Sequence, residues 1–182
     1  LRRRNPQAEI HILVRQRFQE AMQGFGDDPK VKVHVLPTAH ILEPVIADQD
    51  DEVSLARLQE FLQPLRALQF EEIINLSFSP VSSYLVDDIA GESTVVRGYT
   101  RQSDGYLAIP DDSSAYFFAQ VGTGRSNRYH LTDIFAAVAA VELQDNDFSC
   151  PQTTGCQRHH QIVIHLGASQ TQKIYPAEMW QT

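Results

Sequence analysis

Gly167, Ser169 and Lys173 lie between an apolar run, residues 162–166, and a stretch opened by Pro176. Such a loop can offer a phosphate its backbone amides, one hydroxyl and one mobile ammonium. Gly167 lacks a Cβ and permits close approach, while Pro176 can start a helix without losing an amide hydrogen bond. Gly-x-Ser-x3-Lys is not a P-loop, and a surface loop with a solvated lysine fits the same residues. Both readings stay open on residue type alone.

A second group is Asn75, Ser77, Phe78 and Ser79, where an apolar strand runs into a helix start. Ligands of open α/β sheets bind beyond the carboxyl ends of the strands, and three polar side chains fall there. Ser79 followed by Pro80 also reads as an ordinary helix cap. The third group is residues 122–130, Gly-Thr-Gly-Arg-Ser-Asn-Arg-Tyr-His, in which Arg125, Arg128 and His130 could face an anion. Arginine suits bidentate contact with carboxylate or phosphate. The same residues also read as an interhelical loop in which Asn127 caps, Tyr129 packs and His130 bonds to the backbone.

No carboxylate pair, Ser-His-Asp order or Cys-His arrangement emerges, so no general base can be named. Cys150 and Cys156 with His159, His160 and His165 match no standard zinc spacing, and nothing visible requires a metal or cofactor. His34 and His40 flank a strand end without a metal-like set. Asp111 and Asp112 read as a helix-capping pair.

These groups need positioning elements, and the chain supplies them. It has 182 residues, 42% hydrophobic and 21% charged, enough for one core. The formal charge of -8 argues against a general nucleic-acid binder. Strands are expected at 9–14, 30–36, 72–76, 94–97 and 106–109, and helices at 16–23, 54–68, 80–91, 113–121 and 132–141. Alternation of this kind predicts a mostly parallel sheet with crossover helices. Pro64 should kink or divide its helix. Arg2, Arg3 and Arg4 read as a solvated helix face.

Residues 164–169 with Lys173, Ile174, Tyr175, Pro176 and Trp180 resemble the "hPGAs…KrWP…W" signature of family 9 glycosyltransferases, the lipopolysaccharide heptosyltransferases. Residues 1–14 look like the end of that family's first helix and its second strand. Residues 70–76 resemble its "fDlvinL" strand, and residues 127–133 its "NrfHLvD" segment. Leu166 stands where the family has proline, and Tyr175 where it has tryptophan. The resemblance spans nearly the whole chain.

What it implies is a GT-B enzyme with two Rossmann-like domains. Residues 1–143 would form the acceptor-side domain without its first strand, 144–160 a linker, and 161–182 the start of the donor-binding domain. The expected reaction is inverting transfer of heptose from an ADP-activated donor to a lipopolysaccharide core acceptor. Gly167, Ser169 and Lys173 would contact the donor diphosphate, with Lys173 assisting catalysis. Ser77, Ser79, Arg125, Arg128 and His130 are the acceptor-side candidates, Arg125 from its chemistry rather than a motif match. The family's catalytic carboxylate would precede Leu1, and most of its donor domain would follow Thr182. The fragment alone is therefore expected to be inactive, and the remaining segments of the protein count among its partners. The expected location is cytoplasmic, with peripheral association at the inner face of the bacterial inner membrane. A non-catalytic sugar- or nucleotide-binding domain is the alternative.

Overall fold

The computed structural model describes residues 1–25, 28–47 and 50–148. The chain divides into two units, Leu1–Gln144 and Asp145–Thr182. In the second, the described part is a short 3-10 turn, Asp145–Phe148.

The first unit is a small α/β domain built on parallel strand pairs with helices between them. Strand β1 (Ile10–Arg15) pairs in parallel with β2 (Val31–Leu36), with Ile12 opposite Val33 and Leu13 opposite His34. Strand β3 (Glu72–Asn75) pairs in parallel with β4 (Val95–Gly98), with Ile74 opposite Arg97. A hairpin of β5 (Thr100–Arg101) and β6 (Leu107–Ala108) is antiparallel. Its turn is closed by Gly105 N–H donating to the Gln102 carbonyl, and Gly105 has φ of +85°. Only glycine takes that conformation without strain.

The expected single sheet is thus three separate two-stranded ladders among the described residues. Side chains join the first two. The Glu72 carboxylate on β3 binds Arg4, which precedes β1, and also accepts from Arg97 Nε on β4 at 2.8 Å. Arg4 Nη1 donates to the Ala139 carbonyl at 2.9 Å as well. The arginine run is therefore structural rather than a solvated face. Arg2 pairs with Asp28 at 2.9 Å, and Arg3 donates to the Glu142 carbonyl.

Five helices flank the ladders: α1 (Thr38–Ile46), α2 (Asp51–Ala67), α3 (Pro80–Ile89), α4 (Asp112–Tyr116) and α5 (Leu131–Val138). The stretch expected as a short helix after β1 is a 3-10 run, Gln16–Phe25. Helix α1 gives no helix signal in the sequence, because Pro37 precedes it and Pro44 interrupts it. Pro44 cannot donate to the His40 carbonyl four residues back. That carbonyl instead accepts from Arg57 Nη1 of α2 at 2.6 Å. Helix α2 runs through Pro64 without being divided, and the Glu60 residue that loses its partner lies on the exposed side. Its inward side buries Leu62 and Leu65, while α5 buries Ile134, Ala136 and Val138.

The expected peripheral association with the inner membrane is corrected. Among the described residues no helix is long and apolar enough to cross a membrane. The longest, α2, has 17 residues carrying both signs of charge, where a span needs about 20 apolar ones.

Loss of the Glu72 bridge should be felt by the whole unit. Glu72→Ala leaves two half-buried guanidiniums without their carboxylate, so unfolding free energy should drop by about 2 kcal/mol. Urea denaturation measures this, with Glu92→Ala as an exposed control. Equal midpoints for the two variants would mean that the bridge contributes nothing.

Candidate functional site

The carboxyl end of β3 is locked before any ligand is considered. Asn75 is buried, and its Nδ2 donates to the Tyr99 carbonyl at 2.8 Å and to Ser82 Oγ at 3.1 Å. Its Oδ1 accepts from Ser77 N–H at 3.0 Å. Ser79 caps α3: its Oγ accepts from Ser82 N–H at 3.1 Å, and Ser82 Oγ accepts from Ser79 N–H at 3.2 Å. This reciprocal pairing satisfies two donors at the helix start. The Ser77 hydroxyl lies 3.4 Å from that of Ser79 on the exposed side.

Between these serines, Phe78 sits at φ of +47°. Its ring stacks on Phe117 with centroids 4.0 Å apart and meets Tyr99 edge-on at 4.9 Å. Phe135 of α5 lies 5.8 Å away. Aromatic packing of this kind contributes beyond area burial and can hold a residue in an uncommon backbone region. Burial of Tyr99 pushes its phenol above the usual range.

Helix α4 begins at the same end. Asp111 caps it by accepting from Ser114 N–H at 2.8 Å, and its other oxygen accepts from Gly98 N–H at 2.8 Å. The helix then widens into a π-helical turn, Phe117–Val121. Gly122 N–H reaches the Phe117 carbonyl at 2.9 Å, and Arg125 N–H the Gln120 carbonyl at 2.8 Å. Turns of this type recur at functional sites.

The 122–130 loop folds onto Tyr116. Asn127 Oδ1 accepts from the Tyr116 hydroxyl at 3.0 Å and from Tyr129 N–H at 3.1 Å. Arg128 N–H donates to the same hydroxyl at 3.2 Å. His130, not Asn127, caps α5, its Nδ1 accepting from Thr132 N–H at 3.3 Å. Arg125 and Arg128 are exposed, and their guanidiniums form no hydrogen bond or ion pair with a described residue.

The structure brings Ser77 to Ser79, and carries Arg125, Arg128 and His130 on one loop. The two groups connect through Phe78, Phe117 and Tyr116, and no hydrogen bond joins them. Gly167, Ser169 and Lys173 lie outside the described residues, as do the two cysteines and His159, His160 and His165. Among the described residues, no three His, Cys, Asp or Glu side chains gather as a metal site. A cavity of about 450 Å³ lined by Gln69, Phe70, Gly91, Glu92, Ser93 and Thr94 opens at the amino ends of β3 and β4, away from these groups.

Tyr116 and Asp111 do positioning work that the sequence hid. Asp111 was legible as a cap, but its bond to Gly98 depends on tertiary proximity. The described residues thus define a small α/β domain. No family model matches the chain, and neither a curated protein nor a solved structure matches it.

Gly98 has φ of +86°, and a Cβ there would overlap the Asn75 carbonyl backbone. Gly98→Ala should therefore destabilise the unit by about 3 kcal/mol or more, since strain and backbone displacement add. Thermal unfolding followed by circular dichroism would detect it. A wild-type melting temperature would show that β4 shifts without penalty.

Proposed function

We propose that this chain is the acceptor-side domain of an inverting glycosyltransferase of GT-B architecture, leading into the donor-binding domain. The observation that carries the reading is the arrangement at the carboxyl end of β3. An exposed Ser77 hydroxyl, weakly bonded to that of Ser79, precedes the stacked Phe78, and the loop packed on Tyr116 holds two exposed guanidiniums. Phosphorylated or carboxylated sugar acceptors offer complementary anions. The order of the sequence segments resembling heptosyltransferases supports the same reading. The donor is an ADP-activated heptose and the acceptor a lipopolysaccharide core sugar.

In this reaction an acceptor hydroxyl attacks the anomeric carbon as its proton passes to a carboxylate base. The bond from that carbon to the diphosphate oxygen breaks, and ADP leaves. Lys173, with Ser169 and the Gly167 backbone, would stabilise the charge growing on the diphosphate. Arg125 and Arg128 would hold the acceptor's anionic groups. Leu166 and Tyr175, both departures from the family signature, leave a second reading open: a sugar- or nucleotide-binding domain without transferase activity.

In the full-length protein, Lys173→Ala should lower kcat/KM for the donor by about 100-fold, the scale of one lost transition-state donor. Arg125→Ala should raise acceptor KM several-fold with donor binding unchanged. Release of ADP from an ADP-heptose donor in the presence of core acceptor is the assay. Donor binding without acceptor-dependent ADP release would favour the second reading. Unchanged kcat/KM in Lys173→Ala would remove that lysine from the mechanism.

A further inference from the structure

The face of the first ladder carries a titratable cluster that the proposed reaction does not use. Because Leu13 lies opposite His34 and His11 opposite Lys32, His11 and His34 are diagonal neighbours on one face. His11 Nδ1 and His34 Nε2 are 2.8 Å apart, with ring planes inclined by 15°. The His11 side chain is only 9% exposed, and its Nε2 lies 3.4 Å from Glu9 Oε1. Glu9 is itself paired with Lys32. The segment entering β3 presents Phe70, an uncharged ring edge-on to His11 at 5.2 Å.

Two nitrogens at that distance can share one N–H and cannot each carry one. With the Glu9 carboxylate favouring a proton on His11 Nε2, His11 Nδ1 is left to accept from His34 or to receive a single added proton. A second proton would place two N–H groups head to head between two cationic rings. We propose that His11 and His34 form a proton-sharing clasp that holds β2 on β1 with at most one added proton and opens when a second binds.

The sign follows from the groups around the pair. Burial, then the charges of His11 and Lys32, hold the protonation of His34 below its ordinary value of 6.5. The closed clasp therefore binds fewer protons than the open one. Its stabilisation is complete above pH 6.5 and is lost as the pH falls below that value through the depressed folded one. With one extra proton in the open form, the opening constant rises by at most about tenfold per pH unit.

Long-range 1H–15N spectra of the imidazoles between pH 8 and 4.5 test this in the unaltered protein. The expected result is that His11 Nδ1 and His34 Nε2 shift together as the first proton enters. The second should enter only as protection falls, by up to about tenfold per pH unit, at the Val14 and Leu36 amides, which by the alternation of the parallel ladder point across from one strand to the other. His11→Gln should remove this acid-linked loss of protection. Two independent titrations near the ordinary histidine value, with Val14 and Leu36 equally protected at both ends of the range, would overturn the proposal.

Discussion

The Glu72 carboxylate is the point on which the two parallel ladders converge. One side chain answers Arg97 on the neighbouring strand and Arg4 from the chain ahead of β1. Arg4 in turn reaches the carbonyls that close α5. Backbone hydrogen bonds would normally perform this joining across a sheet. Here charged side chains do it, half-buried and therefore less screened than surface ion pairs. The amino end of β3 is fixed this way, and the opposite end can then carry an open loop.

At that opposite end most polar groups are already engaged. Asn75 knits β3 to the Tyr99 backbone, Asp111 joins α4 to β4, and Ser79 and His130 each complete a helix start. Such groups lower the cost of turning the chain sharply and cannot also meet a ligand without releasing a backbone donor. Ser77, Arg125 and Arg128 remain with free hydrogen-bonding capacity. A rigid base with a small number of unengaged polar groups is the arrangement in which ligand contacts require little reorganisation.

Much of the element order was legible in the chain. Runs of Ile and Val located the strands, and Ser79 before Pro80 located the start of α3, because these signals are local. The same locality explains the misses. The arginine triplet looked solvated because Asp28, Glu72 and the α5 carbonyls lie far away in sequence. Helix α1 was hidden by two prolines whose disruption another helix offsets. The separation into three ladders depends on which edges meet, and periodicity carries no information about edges. His11 and His34 were visible as residues, but their pairing follows only from the register of β1 against β2. At the candidate site, Ser79 read correctly as a cap, whereas Asn127 was assigned a cap that His130 supplies.

Pro44 moves a hydrogen bond from within a helix to between two helices. The His40 carbonyl, left without its usual amide, is claimed by Arg57, which also reaches Glu43 at 3.1 Å. The two positions therefore form one epistatic unit. A chain that lost Pro44 would regain a competing amide and weaken Arg57's hold on α1. A chain that lost Arg57 would leave to water a carbonyl that the proline had freed. Substitutions at these two sites should be free to drift together more readily than apart, which makes a helix breaker the constraint that ties two helices into one evolving part.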